Sequence, residues 1–229
     1  MSTSEDYAEE LEEMAAFFNT RAETYNEVHL GHVDGVESKE LIASFLPEHT
    51  MSIVDFGIGT GLELEAIFKR FPNVEITGID MAENMLQLLR NTYPDKTIAL
   101  YCMSFFDFDF GDNRYDAAIS VQAMHHYTHE EKTALYRRIY KGVKKNGVYI
   151  ENDYIISEED YENPQEMEDF YFSEYERIKK QQGITDDNVY HYDRPCTVAN
   201  QIKMLRTAGF KNVKEVWRKG NGITLVAEK

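Results

Sequence analysis

The stretch Asp55-Phe56-Gly57-Ile58-Gly59-Thr60-Gly61 sets three alternate glycines directly after a β-branched apolar run at 51–56 and directly before a helical pattern at 62–70. Alternate glycines let a chain turn sharply and bring bare backbone into contact with a ligand, where a Cβ would intrude. The helix start behind them offers unpaired N–H groups. A dinucleotide fingerprint wants a glycine at the sixth position of G-x-G-x-x-G. Counted from Gly57 that position is Leu62, and from Gly59 it is Leu64, so the spacing fails twice. The next apolar run, 74–79, ends at Asp80, whose carboxylate is placed to accept from two ribose hydroxyls.

Strand and helix patterns alternate from there. Strands are predicted at 74–79, 97–102, 115–120 and 148–152, and helices at 62–70, 82–90 and 129–143. Alternation of this kind implies right-handed crossovers and a mostly parallel sheet. After a helix at 197–208 come two strands, 212–217 and 223–227. The short turn Lys219-Gly220-Asn221-Gly222 makes them an antiparallel pair. Before the first strand, Tyr7, Leu11, Met14, Ala15 and Phe18 fall on one face of an acidic helix at 4–25. A loop with Gly31, His32 and Gly35 and a short helix at 37–45 follow. Residues 157–195 break the rhythm; rich in acidic and aromatic side chains, they suit a helical insertion over the sheet edge.

Lys and Arg number 24 against 41 Asp and Glu, a formal charge of −17. Such a surface repels phosphate backbones, so a nucleic-acid partner is not expected. The two cysteines, Cys102 and Cys196, are too few and too far apart for a disulfide framework, a zinc site built from cysteines or a dithiol redox motif. They fit a reducing cytoplasm. The acidic N-terminus lacks the layout of a signal peptide, and no apolar run approaches the ~20 residues that span a bilayer. The expectation is a cytoplasmic protein with no membrane partner, homodimerisation being left open.

Taken together, these elements resemble the class I S-adenosylmethionine (SAM) dependent methyltransferases. Asp55 to Gly61 is similar to their first motif and Asp80 to their ribose-binding acid. Arg114-Tyr115-Asp116-Ala117-Ala118-Ile119-Ser120 with Met124-His125-His126-Tyr127 resembles their fourth-strand stretch. Val143-Lys144-Lys145-Asn146-Gly147-Val148 resembles the turn before the fifth strand, and Leu205-Arg206-Thr207-Ala208-Gly209-Phe210 the element before the closing strands. The resemblance covers about residues 50–229. It implies an α/β fold, a Rossmann-like seven-stranded, mostly parallel sheet with helices on both faces and one antiparallel strand near the C-terminus. A single domain, 1–229, would carry an N-terminal helical cap at 1–35 and the insertion at 157–195 over the active site. SAM would be the cofactor. Asp55, Gly57, Gly59 and Gly61 would form its loop, Asp80 would hold the ribose, and Met81 would lie against adenine. Ser104 stands where the family often has an adenine-binding acid, beside Phe105 as a stacking neighbour. Val121 would border the cofactor, and Tyr25 resembles a tyrosine that closes over SAM in small-molecule members.

Methyl transfer is an in-line displacement on a sulfonium, and a base is needed only where the nucleophile is protonated. Base candidates at the strand carboxyl ends are His125, His126, Asp153 and His191, with His126 or His191 and Asp153 as the favoured set. Asp153, His126 and His191 also suit a divalent ion. Catechol-type members of the family carry metal-binding acids after the fourth and fifth strands, but here Val121 and Gln122 occupy one of the two places. No metal ligand is assigned on that ground, and a divalent ion stays open. Phe170-Tyr171-Phe172, Tyr175, Tyr190 and Tyr192 would wall a pocket or form the buried face of a capping helix. The expected activity is methyl transfer to a small-molecule acceptor. The alternatives are a non-catalytic SAM-binding module and an enzyme like the carboxy-SAM synthases, which remodel SAM. The latter need a cation for the added carboxylate, and Arg194 is the residue nominated for it.

Overall fold

The structure is a computed structural model that describes residues 10–30, 33–159 and 161–229. In chain order it contains α1 (Met14–Leu30), α2 (Val33–Phe45), β1 (Ser52–Phe56), α3 (Leu64–Arg70) and β2 (Glu75–Asp80). Then come α4 (Glu83–Thr92), β3 (Ile98–Cys102), β4 (Tyr115–Val121), α5 (His129–Gly142) and β5 (Val143–Ile156). The last five are α6 (Pro164–Gln181), β6 (Cys196–Thr197), α7 (Val198–Ala208), β7 (Lys211–Lys219) and β8 (Gly222–Glu228), and a 3-10 turn at Met124–His126 stands between β4 and α5. Tyr7, Gly31 and His32 lie outside the described residues, and Gly35 falls inside α2 rather than in a loop.

The sheet runs β3-β2-β1-β4-β5-β8-β7, with the two-residue β6 paired to the end of β5. Seven strands therefore form the expected path, and β6 adds a short eighth that the sequence pattern does not announce. β1, β2, β3, β4 and β5 are parallel. β8 lies antiparallel between β5 and β7, so one reversed strand closes the sheet. Side chains alternate across it as a two-residue period requires. Ile53, Ala117 and Ile119 join the core beneath α2, α3 and α4, while Val54, Phe56 and Ala118 join the core beneath α5 and α7. No helix among the described residues is long and apolar enough to cross a membrane.

Local chemistry sets the helix ends. Thr128 and Glu131 form a capping box at the start of α5. Thr197 caps α7, and Gly209, at φ 117°, ends it in the left-handed region. The 157–195 segment contains one helix, α6, with Pro164 at its first turn. Glu168 ties that helix down. It is 1% exposed, its Oε1 lies 2.6 Å from His129 Nε2 on α5, and its Oε2 accepts from the Thr197 N–H at 2.5 Å.

Burial alone would raise the Glu168 carboxyl, but His129, Thr197 and Asn200 outweigh it and hold the group at about 2. The His129 imidazole, against Cys196 and Glu168, is pushed up to about 9. The attachment is therefore complete between the ordinary values of 4.5 and 6.5. It weakens as pH falls from 4.5 toward 2, and again as pH rises through 9. Glu168→Gln should lower unfolding free energy near pH 6 by about 1.5–3 kcal/mol. It should also flatten the acid limb of the stability profile, as read from denaturant melts across pH.

Candidate cofactor pocket and acceptor cavity

Parallel pairing puts the carboxyl ends of β1, β2 and β4 side by side, and the glycine loop grows from the first of them. The Gly57 N–H donates to the Ile79 carbonyl at 2.8 Å. With φ of 67°, a Cβ at Gly57 would stand 2.7 Å from the Ala123 Cβ. At Gly59, φ 52°, a Cβ would only touch the Gly57 carbonyl oxygen, at 3.9 Å. Asp80 braces the loop: its Oδ2 accepts from the Gly59 N–H at 2.9 Å and its Oδ1 from the Ala82 N–H at 2.8 Å. Each oxygen keeps a lone pair for a hydroxyl. Burial raises the Asp80 carboxyl, partly offset by the backbone N–H groups.

Tyr25, Gly57, Gly59, Asp80, Met81, Phe105 and Val121 line one cavity, together with Phe18, Gln122 and His126. Three expected cofactor residues do not line it. Gly61 lines a smaller groove with Glu63, which shares Tyr25, Gly57, Gly59, Val121 and Gln122 with that cavity. Asp55 is buried beneath the loop, its carboxyl pushed well up by burial and then by Glu63. Ser104 turns its hydroxyl to the Phe106 N–H at 3.2 Å, so Phe105 rather than Ser104 forms the wall there. Burial also raises the Tyr25 phenol, with Asp80 adding to it.

A second cavity of about 320 Å³ continues outward and shares Phe18, Tyr25, Gln122 and His126 with the first. That size suits a small molecule. Gln122 is held at φ 51°, a strained conformation for a residue with a side chain. The strain goes with a carboxamide that lines both cavities and donates to the Tyr154 hydroxyl at 3.1 Å.

The outer wall is a cluster of imidazoles and carboxylates. Asp153 reaches His125 rather than His126, with Oδ1 2.5 Å from His125 Nδ1. Asp193 Oδ1 lies 3.2 Å from His125 Nε2, 3.5 Å from His126 Nδ1 and 3.9 Å from His191 Nε2. Burial works against charge on His125, yet Asp153 and Asp193 overcome it and push the imidazole up to about 10. His126 moves the other way, well below its ordinary value, through burial and then the charge on His125. Burial lowers His191 as well, and its ring stacks on Phe17 of α1 with centroids 3.5 Å apart.

The segment carrying His191 and Asp193 is sewn in on both sides. Met14 N–H donates to the Val189 carbonyl and His191 N–H to the Glu12 carbonyl, while Arg194 N–H donates to the His125 carbonyl. His126 and His191 thus meet in one cavity as the sequence suggests, and Asp153 joins them through His125. Asp193 was not foreseen. Its signal was position, two residues after His191 in an extended run that alternates side chains.

Comparison with known proteins fits this geometry. Residues 53–147 match the family described as a methyltransferase domain. A carboxy-S-adenosyl-L-methionine synthase of Wolinella succinogenes is 30% identical over 209 residues, covering 83% of this chain and 82% of the relative. The corresponding enzyme of Nautilia profundicola is 27% identical over 202 residues, with the same coverage. The chain belongs to the class I SAM-dependent methyltransferase family. Among solved structures, human N-acetylserotonin methyltransferase in complex with SAM has a TM-score of 0.66 at 16% identity, over 94% of this chain and 56% of that one. Streptomyces venezuelae DesVI has 0.64 at 17%, over 90% and 97%. These likenesses show the fold.

This methyltransferase is a SAM-dependent enzyme, and SAM is its cofactor. Asp80→Ala removes the acceptor for the Gly59 and Ala82 N–H groups in the cavity wall. It should weaken S-adenosylhomocysteine binding by about 10–100-fold, the effect of losing charge-assisted hydrogen bonds. Calorimetric titration of parent and variant checks this, with circular dichroism to verify folding.

Proposed function

We propose that this methyltransferase moves the methyl group of SAM onto a small-molecule acceptor in the outer cavity, where His126 meets the acceptor's reactive atom. The observation that carries this reading is the continuity of the two cavities past the His126 side chain. The glycine loop and Asp80 hold the cofactor, and an acceptor beyond His126 lies on the open side of the methyl group. Holding nucleophile, methyl and sulfur in line is the main catalytic task. His126 and His191 offer imidazole nitrogens to the acceptor, and Asp153 positions that wall through His125. Residues 1–35 and 157–195 act as the cap of one domain spanning 1–229. The enzyme acts in the cytoplasm without a nucleic-acid partner, in keeping with its −17 charge and two free thiols.

Carboxy-SAM synthesis is the reading that the names of the relatives favour. The geometry here favours methyl transfer. Arg194, nominated for the extra carboxylate, lines neither cavity. It is 4% exposed, its guanidinium donates to the His126 carbonyl and it lies 4.1 Å over the Tyr175 ring. Arg21 does line the outer cavity, but Glu12 engages both of its terminal nitrogens at 2.6 and 3.1 Å.

The test is S-adenosylhomocysteine release from SAM with small hydroxylated acceptors and amines, and with prephenate in a separate arm. A methylated product from at least one acceptor is expected, identified by mass spectrometry. His126→Gln should lower that turnover by about 10²–10⁴-fold while S-adenosylhomocysteine affinity stays within about threefold, or ~0.7 kcal/mol. Carboxylated SAM formed from prephenate, with no methylated product in the other arm, would replace this reading.

A further inference from the structure

We propose that His125, His126 and Asp193 together hold a divalent cation to which the acceptor binds through oxygen. One ring nitrogen from each imidazole and one carboxylate oxygen lie within 4.8 Å of one another. The two edges that meet at Asp193 are close to those of coordination. Bonds of about 2.1 Å put neighbouring ligands roughly 3.0 Å apart at right angles and roughly 3.4 Å apart in a tetrahedron. The observed edges from Asp193 Oδ1 are 3.2 Å to His125 Nε2 and 3.5 Å to His126 Nδ1. Without a cation, the Nδ1 proton of His126 has the Tyr192 carbonyl as its acceptor, 3.2 Å away. Coordination replaces that proton, as metal binding to imidazole does generally.

An independent observation lies behind the ligands. Asp153 Oδ1, 2.5 Å from His125 Nδ1, accepts the hydrogen bond of the Nδ1 proton, so it is the Nε2 proton, on the side of Asp193, that a cation displaces. A carboxylate fixing the tautomer of a ligating histidine is the usual support behind a metal. Asp153 is 5% exposed and His125 4%, so the pairing is not a surface accident. Two carboxylates, Asp153 and Asp193, balance two positive charges once the imidazoles are neutral.

The donor set indicates the class of cation. Two imidazoles and a carboxylate suit zinc and its borderline neighbours manganese, iron(II), cobalt and nickel rather than calcium or magnesium. Three protein ligands leave positions open, the pattern of a catalytic rather than a structural site. All three ligands border the outer cavity, so the open positions face the acceptor. The acceptor class follows, and this part rests on the methyl-transfer reading. It is a hydroxyl compound. A cation held there would make that hydroxyl more acidic, its proton passing to solvent. The oxygen then attacks the methyl carbon of SAM, an O–C bond forms and the C–S bond breaks. Its electron pair stays on sulfur, giving S-adenosylhomocysteine and a methyl ether.

A rival cluster, His129, Glu168 and Cys196, also brings three donor atoms together. There the Lys132 ammonium already stands 2.9 Å from Cys196 Sγ, and Glu168 is engaged by Thr197 and Asn200. Both contacts oppose a cation.

The experiment titrates the chelator-treated full chain with zinc by calorimetry and with cobalt(II) by visible absorption, and measures S-adenosylhomocysteine affinity in parallel. One equivalent of zinc is expected, with a cobalt spectrum that lacks a thiolate charge-transfer band. Asp193→Asn and His126→Gln should weaken zinc binding at least about tenfold. Asp153→Asn, acting through His125, should weaken it about 10–100-fold, and Cys196→Ser should leave it unchanged. Failure of the S-adenosylhomocysteine-binding parent to take up zinc, or a thiolate band in its cobalt spectrum, would overturn the proposal. So would zinc binding kept by Asp193→Asn and lost in Cys196→Ser. A chain that binds both zinc and S-adenosylhomocysteine yet methylates no acceptor would uphold the cation site and remove the methyl-transfer reading.

Discussion

Parallel pairing of β1 with β2 on one side and β4 on the other constrains everything built at the site. Strands running the same way end at the same edge, so the loops that leave them share one crevice. Gly57 to Gly61 follow β1, Asp80 ends β2, and Gln122 to His126 follow β4. Asp153 belongs to β5, the next strand over. Groups nearly a hundred residues apart in sequence therefore become neighbours without any contact made specially for them.

The chemistry at this edge is governed by carboxylates that have lost their water. Asp80 survives burial because two backbone N–H groups point at it, and those bonds shape the glycine loop. Burial works against charge on His125, but Asp153 and Asp193 beside it hold that imidazole charged. The same charge keeps a second imidazole neutral at van der Waals distance: the His125 and His126 rings have centroids 3.9 Å apart. Two acids and burial together thus set the protonation of two histidines, which no single-residue view of either would disclose. The closing segment, 189–194, completes the wall by bonding to the N-terminal chain on one side and the 3-10 turn on the other. The same segment contributes His191 and Asp193 to the outer cavity.

Much of this was legible in the residues. The alternate glycines, the acid at the end of β2 and the strand–helix rhythm led to the fold and the cofactor, because each is a local pattern with a local physical cause. Their element boundaries hold within a few residues for β2, α4, β3 and α5. Legibility fell off where partners are distant. Asp153 was assigned to His126 or His191, while the strand register and the turn after β4 give it to His125. Ser104 was placed against the cofactor by alignment, but its hydroxyl satisfies a nearby N–H. Arg194 was nominated as a free cation, and burial turned it into a strut between the 189–194 segment and Tyr175. A side chain's type sets what it can do, and its neighbours settle which of those things it does.

The sequence by itself determined the class of fold, the alternate-glycine loop and the carboxylate that ends β2, since periodicity, glycine spacing and strand-end position act over a few residues of chain. Only the tertiary structure decided which histidine is charged and which is neutral, where Asp193 points, and that the cofactor pocket opens into a second cavity. Those depend on distances between segments that the chain brings together from far apart, and on the loss of water that makes a carboxylate 2.5 Å from an imidazole far stronger than the same pair at the surface.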